Sequence, residues 1–283
     1  MSPSNYGVSF MFTVTGTTST YCVLGNPVAH SMSPLMHNTA FRHLGMDAIY
    51  LPFEVNDLPA AVSGLKALNI KGASVTHPFK EAIIELVDEI DDTASKIGAI
   101  NTLVFTKGGI LGTNTDWVGL VKTIETLLPI SDHTFVVLGA GGAARAAVFG
   151  IIDHGGKAIV ANRSEKKGRL LADEFDMPFV SLSKLENVQA ACLINATPVG
   201  MYPKGDDTPV PTQILTRYKA VVDVIYNPVQ TKLLKEAQSQ GCMTASGFEM
   251  FVHQGIEQFR IWTDTTPPAK EMRDVVYQRL MNK

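Results

Sequence analysis

Short unbroken apolar runs alternate along the chain with stretches in which apolar residues recur at every third or fourth position. The first pattern suits strands covered on both faces, and the second suits helices that bury one stripe. TYCVLG, residues 20–25, reads as a strand. Ser33 then stands as an N-cap with Pro34 in the first helical turn, and Met36, Ala40 and Leu44 keep helical spacing up to Gly45, which ends the helix. AIYLPFEV predicts the next strand, and Asp57 caps a helix running to about Leu68. IKGASVT predicts a third strand, with a helix starting near Pro78. DDTASKIGA reads as a short helix, and NTLVFTKGGILGTNTD as a hairpin that turns at Lys107-Gly108-Gly109.

The pattern changes after the helix that opens at Asp116, runs to about Leu128 and stops at Pro129. DHTFVVLG, AIVANRS, ACLINAT and AVVDVIY are strand-like runs; GAGGAARAAVFGIIDHGG and SEKKGRLLADEF supply helices between them. Strands alternating with helices predict a parallel sheet with right-handed crossovers. From Glu249 onward two helices are separated near Thr265, Pro267 and Pro268, and this tail is placed to pack back onto the first part of the chain. The expected class is α/β with two domains. One comprises residues 1–118 completed by 249–283; the other, residues 119–248, is a Rossmann-type doubly wound parallel sheet.

Composition narrows the setting. The chain has 283 residues, 45% of them hydrophobic and 18% charged, with a formal net charge of −3. That is enough apolar material for packed cores, and it lacks the basic excess of a nucleic-acid binder. No apolar run approaches the roughly 18 residues of a membrane span. The first 20 residues lack a basic n-region and read as a frayed leader, not a signal peptide. Cys22, Cys192 and Cys242 are far apart, form no CxxC pair and fall in or beside strand-like runs. Buried free thiols in a reducing cytoplasm fit that distribution. The spacing of His30, His37 and His77 matches no metal motif, so no metal is expected.

Two stretches carry candidate chemistry. VVLGAGGAARAA sets Gly139, Gly141 and Ala144 in a G-x-G-x-x-A pattern between a strand and a helix. Gly139 permits the tight turn, Gly141 allows close approach of a pyrophosphate, and the helix N-terminus offers its free N–H groups to the anion, so Gly139, Ala140, Gly141, Gly142 and Ala143 are expected to bind the cofactor. The next strand ends in Asn162-Arg163-Ser164, with Lys166, Lys167 and Arg169 following and no acid at the strand end. A carboxylate there would hold a ribose 2′-hydroxyl; a guanidinium instead suits a 2′-phosphate, so NADP is the expected cofactor over a merely solvated basic face. The second stretch is GASVTHPFKEA, where Lys80 stands at the mouth of the predicted helix, a position the macrodipole disfavours for a cation. Upstream, GNPVAHSMSP holds two hydroxyls, Ser31 and Ser33, around one turn, which fits either turn chemistry or a polar ligand.

Taken in order, GNPVAHSMSP, SVTHPFK, GAINTL, GTNTDWVG, GAGGAARA, NRS, INATPVGM and GFEMFVHQG resemble the shikimate dehydrogenase family from about Tyr21 to Arg273. The resemblance implies NADPH-dependent reduction of 3-dehydroshikimate to shikimate, within aromatic amino acid and chorismate biosynthesis, by a monomer or homodimer in the cytoplasm. It implies that Ser31 and Ser33 bind the substrate carboxylate, and that Thr76, Asn101 and Gln254 meet its hydroxyls with Tyr226 beside the ring. Lys80 and Asp116 would be the catalytic pair. Asn162, Arg163, Ser164 and Lys167 would surround the 2′-phosphate; Thr197, Val224 and Gly247 would line the nicotinamide end. On this view the helix N-terminus lowers the Lys80 pKa while Asp116 opposes that effect, and Lys80 passes the hydroxyl proton or acts as a charged donor. Ser74, His77, Thr113 and Trp117 depart from the family's usual residues; His77 is expected to pack under the helix. Quinate/shikimate dehydrogenases, which often use NAD, are the nearest alternative. A non-catalytic metabolite sensor is a further one that the presence of both Lys80 and Asp116 disfavours.

Overall fold

Two six-stranded sheets organise the chain in a computed structural model that describes residues 13–282. The reading of the first 20 residues as a leader therefore lies outside the described residues as far as residue 12. By Ser19 the chain is already in a strand.

The first sheet contains β1 (Ser19–Gly25), β2 (Ala48–Glu54), β3 (Gly72–Val75), β4 (Glu89–Ile90), β5 (Thr102–Thr106) and β6 (Gly109–Thr113). Their spatial order is β2-β1-β3-β5-β6-β4. β1 runs parallel to both neighbours, and β5 and β6 form the expected antiparallel hairpin. Three helices serve this part: α1 (Ser33–His43), α2 (Leu58–Ala67) and α3 (Asp92–Ile97). Asp57 caps α2 by accepting from the Ala60 N–H, and Asp91 caps α3 by accepting from the Ala94 N–H. Ser33 is not the cap of α1. It is the first helical residue, and its N–H donates to Ser31 Oγ at 3.3 Å.

The helix expected at Pro78 does not form. Residues 77–81 make a turn, and only a short 3-10 stretch, Ala82–Leu86, follows. The reason is a tertiary bond: the Ile100 N–H takes the Lys80 carbonyl at 2.8 Å, and Ile84 N–H turns to Glu81 instead. Lys80 therefore lacks the helix N-terminus of its own that the sequence suggested.

Next come α4 (Asp116–Glu125), α5 (Gly142–Asp153), α6 (Glu165–Glu174), α7 (Lys232–Ser239), α8 (Gly247–Thr263) and α9 (Ala269–Met281). The second sheet is built from β7 (Thr134–Leu138), β8 (Lys157–Ala161), β9 (Phe179–Val180), β10 (Cys192–Asn195), β11 (Ala220–Asp223) and β12 (Met243–Ser246). All its pairings are parallel, in the order β12-β11-β10-β7-β8-β9. That is the doubly wound dinucleotide-binding order, with β7 first and the reversal between β7 and β10. β7 is apolar and buried from Phe135 to Leu138, its side chains entering cores on both faces of the sheet.

α8 and α9 return to the first sheet, where the tail was expected to pack. Phe259, Met272 and Val276 share a core with Met36 and Phe41 of α1, and Trp262 Nε1 donates to the Leu103 carbonyl at 3.0 Å. α8 starts at Gly247, where Ser246 caps it by accepting from Phe248 N–H. The three cysteines are buried free thiols; burial pushes that of Cys22 up to about 12. No helix among the described residues is long and apolar enough to cross a membrane.

Candidate active site

Most candidate residues sit on or beside loops that follow parallel strands, and the lysine turn after β3 abuts the glycine-rich turn after β7. Past β3, the turn carries Thr76 and Lys80; past β6, Asn114 and Thr115 lead into Asp116, the first residue of α4. Asn114 fixes that entry. Its Nδ2 donates to the Ala99 carbonyl at 2.8 Å, and its Oδ1 accepts from the Asp116 N–H at 2.9 Å.

Lys80 Nζ and Asp116 Oδ2 are 2.6 Å apart, with side chains 20% and 5% exposed. The other carboxylate oxygen, Oδ1, accepts from Asn101 Nδ2 at 2.9 Å. Asn101 Nδ2 also lies 3.0 Å from Thr115 Oγ1 and 3.5 Å from Gln254 Oε1. Gln254 is held in turn by donating from Nε2 to the Phe251 carbonyl at 2.8 Å. Lys80, Asp116, Asn101 and Gln254 thus form one bonded group drawn from three distant parts of the sequence.

Ser31, Ser33 and Tyr226 gather at a neighbouring turn. Ser31 closes the turn after β1 by donating its N–H to the Val28 carbonyl. The Tyr226 ring stacks on Phe251 at 4.6 Å, and its hydroxyl bonds the backbone of Met32, between the two serines. Burial pushes that phenol up to about 12, with the Met32 bond opposing. Thr76 is half-buried, its N–H donating to the Leu24 carbonyl at 2.9 Å. His77 does not pack beneath a helix: its side chain is exposed at the turn. The other departures have structural roles. Trp117 meets Phe149 of α5 edge-on at 5.6 Å, Thr113 Oγ1 donates to Asp91, and Ser74 lies in a buried polar chain.

Opposite Lys80 lies the glycine-rich turn. Gly139 has φ of 118°, which favours glycine, and a Cβ there would stand 2.9 Å from the Ala196 carbonyl oxygen. Gly141 is the N-cap of α5 and supplies no side chain, so the first N–H groups of the helix point free into the cleft. A Cβ on Gly142 would come 2.9 Å from Lys80 Cβ, so the start of α5 abuts the lysine turn. The helix N-terminus beside Lys80 is thus that of α5. A dinucleotide diphosphate fits this cradle, which side chains would fill; Ala140 and Ala143 stand on the same turn.

At the end of β8, Asn162 Nδ2 donates to the Ser164 carbonyl at 3.0 Å, shaping the turn that presents Arg163. Arg163, Lys166 and Lys167 are exposed and form no ion pair among the described residues. Arg169, by contrast, is engaged by Glu165 at 3.3 Å and lies over the Phe179 ring at 4.7 Å. Thr197 follows β10, its Oγ1 donating to Asn195 Oδ1 at 2.7 Å. Val224 and Gly247 meet across the ends of β11 and β12, where only a glycine leaves room against the Val224 carbonyl.

Several supporting residues escaped the sequence reading. Asn195 Nδ2 donates to buried Asp223 at 3.1 Å, a carboxylate that burial pushes up to about 6 against bonds from Thr231, the Ile225 N–H and Asn195. Asn195 lies within the INATPVGM motif, which was its only signal. Arg145 reaches from α5 to Glu81, Glu174 and the Ile97 carbonyl.

A doubly wound sheet whose open glycine-rich turn faces a half-buried lysine–carboxylate pair defines a dinucleotide-dependent oxidoreductase. The chain belongs to the shikimate dehydrogenase family. A family profile described as the shikimate dehydrogenase substrate binding domain matches residues 23–103, and one described as the shikimate 5'-dehydrogenase C-terminal domain matches residues 247–277. The shikimate dehydrogenase (NADP(+)) of Methanothermobacter thermautotrophicus is 42% identical over 282 residues, covering 95% of this chain and 99% of the relative. Shikimate 5-dehydrogenase from Thermus thermophilus, solved in complex with NADP(H) and shikimate, superposes with a TM-score of 0.84 at 33% identity, covering 92% of this chain and 99% of the other. Quinate dehydrogenase from Corynebacterium glutamicum, in complex with NAD, has the same TM-score at 30% identity, covering 92% and 99%.

Proposed function

We propose that this chain interconverts 3-dehydroshikimate and shikimate with NADP, a step towards chorismate and the aromatic amino acids. The observation that carries the reading is the Lys80–Asp116 pair, 2.6 Å apart and set against the open N-terminus of α5. Bound on that turn, NADPH supplies the hydride. The diphosphate is held by the N–H groups of residues 140–143, since that of Gly139 is already given to the Ala161 carbonyl at 2.8 Å and Gly139 serves the turn alone. The 2′-phosphate is held by Arg163 and Lys167 with Asn162 and Ser164. Thr197, Val224 and Gly247 flank the nicotinamide.

Reduction of a ketone leaves an oxygen that must gain a proton, and oxidation must remove the same proton. Lys80 Nζ handles that proton, while Asp116 holds Nζ on one oxygen and is itself held by Asn101 on the other. Ser31 and Ser33 take the substrate carboxylate. Thr76, Asn101 and Gln254 receive its ring hydroxyls beside Tyr226. Such a set of hydroxyls and amides selects polyols, because a ligand lacking a hydroxyl leaves buried partners unpaired.

Residues 1–118 with 249–283 form the substrate-binding unit on this reading, and residues 119–248 the cofactor-binding unit. Three buried, unpaired thiols favour a reducing cytoplasm, and a monomer or homodimer meets every requirement of the site.

The test is a steady-state assay that follows the reduced-nicotinamide absorbance, with shikimate and quinate each paired with NADP and with NAD. Preference for shikimate with NADP is expected, because Arg163 stands where NAD enzymes carry an acid. Faster turnover of quinate with NAD would move the chain to the function named for its Corynebacterium neighbour. Binding without turnover would make it a sensor.

A further inference from the structure

Behind Asn101 lies a chain of buried hydrogen bonds that joins the first sheet, the hairpin and α8. Tyr50 hydroxyl lies 2.6 Å from Ser74 Oγ, and Ser74 Oγ lies 2.8 Å from Gln258 Oε1. Gln258 Nε2 lies 2.9 Å from Thr102 Oγ1 and 3.1 Å from the Asn101 carbonyl. Thr102 Oγ1 lies 2.7 Å from Asn101 Oδ1. Tyr50, Ser74, Thr102 and Gln258 are all buried, so water does not compete for these bonds.

The proton direction in this chain follows from two anchors. The Thr115 N–H, a donor only, meets Asn101 Oδ1 at 2.8 Å, which makes Oδ1 the acceptor end of the side chain. Thr102 must then spend its single proton on Oδ1, so it can only accept from Gln258. The Gln258 atom facing Thr102 is therefore its amide nitrogen, which agrees with the second anchor, the Asn101 backbone carbonyl. Gln258 Oε1 consequently faces Ser74 and takes its proton, and Tyr50 donates to Ser74. Burial holds the Tyr50 phenol well above its usual range, so it keeps the proton it donates. Every link thus points the same way, and the last donor, Asn101 Nδ2, points at Asp116 Oδ1.

We propose that Thr102 and Gln258 are positioning residues for the reaction: they lock the Asn101 amide so that its N–H, and not its carbonyl, meets the Asp116 carboxylate beside Lys80. A flipped amide would set an oxygen against the carboxylate and Nδ2 against the Thr115 N–H. The inference rests on the function proposed above, since it assigns Asp116 to proton handling. Ser74, which departs from the usual family residue, is the middle relay of the lock.

The test is the kinetics of shikimate oxidation by Thr102→Val, which keeps shape and loses the hydroxyl, together with Thr102→Ser and Gln258→Leu. Loss of one link is expected to lower kcat about tenfold, the scale of one buried hydrogen bond, with KM for NADP held within about twofold. Thr102→Ser should recover kcat to within about threefold of the parent. Because Thr102 acts through Asn101, Thr102→Val should change nothing further in an Asn101→Ala background. An unchanged kcat in Thr102→Val, or the same factor lost again in the Asn101→Ala background, overturns the proposal. So does a loss of kcat matched in both Thr102→Val and Gln258→Leu by loss of folded protein, read from melting curves, since that assigns the chain to stability. Absence of turnover by the unsubstituted protein would remove the functional reading, and this proposal with it; normal turnover there with no effect of the substitutions removes this proposal alone.

Discussion

Lys80 is held by a single carboxylate, and that carboxylate also takes a bond from Asn101. On the proposed reading, truncating the lysine removes the proton carrier and leaves the proposed substrate contacts of the serine turn, Thr76 and Gln254 in place. Lys80→Ala should keep shikimate binding within about tenfold while kcat falls on the order of 100-fold or more. Binding is read by isothermal titration and turnover by the absorbance assay; equal losses in both would make Lys80 a positioning group. Arg163, the proposed 2′-phosphate partner, permits a separate test. It is exposed and unpaired among the described residues, so its removal disturbs no internal contact. Arg163→Ala should raise KM for NADP by about tenfold or more, the loss of a charge-assisted phosphate contact, and leave KM for NAD nearly unchanged. A parallel rise for both cofactors would place the 2′-phosphate elsewhere.

At the scale of elements, the ends of β10 and β11 are tied through Asp223, which bonds Asn195, Thr231 and the Ile225 N–H. Its folded pKa is raised to about 6, above the unfolded value of about 3.9. Between those values the folded state holds a proton that the unfolded state has lost. Stability from this group is therefore fully present below the unfolded value and is lost as pH rises through about 6. Melting curves across that window should show the parent gaining stability relative to Asp223→Asn as pH falls, and parallel curves would remove the assignment. The loops tied here carry Thr197 and Val224, the residues proposed to flank the nicotinamide. Its legibility in the sequence was partial. β7 and the glycine turn could be read directly, because a strand buried on both faces is apolar throughout and a left-handed residue against a carbonyl has to be glycine. β12 could not: Met243–Ser246 carries little apolar signal and is held in place by pairing with β11. β9 has only two residues, and α7 is framed on one side alone, by β11, since β12 went unread. The helix expected at Pro78 failed because the Lys80 carbonyl is taken by Ile100, a contact between separate loops. Lys80, Asp116, Asn101 and Gln254 were recoverable from ordered motifs, whereas the Thr102–Gln258 bond joins residues 156 positions apart and leaves no local trace.

At the scale of the whole molecule, the cleft depends on how the two sheets are held against each other. α4 packs on both α5 and α8: Gly150 of α5 leaves room for Val121, and Gly119 of α4 lies against the backbone of α8. A second tie is the Arg145 side chain, which is 13% exposed. It donates from Nη2 to Glu174 Oε1 at 3.0 Å within the cofactor half, and from Nη1 to the Ile97 carbonyl at 3.3 Å in the other half. Its Nε lies 3.6 Å from Glu81, the residue next to Lys80. Gly98, with φ of 68°, ends α3 and also clears space, since a Cβ there would lie 2.6 Å from Arg145 Nη1. Both carboxylates are about half exposed, so these ion pairs add little to overall stability. Their effect is on the relative placement of the lysine turn and the glycine turn. Arg145→Met, which keeps the apolar stem and removes the bonds, should lower the melting temperature by no more than about 3 °C, as expected for loss of such pairs. In the same variant kcat should fall and KM for both shikimate and NADP should rise, each by roughly three- to tenfold, because residues that set closure act on binding and turnover together. Kinetic constants equal to those of the parent would assign the alignment of the cleft to the α4–α5–α8 packing alone, with Arg145 reduced to a surface contact.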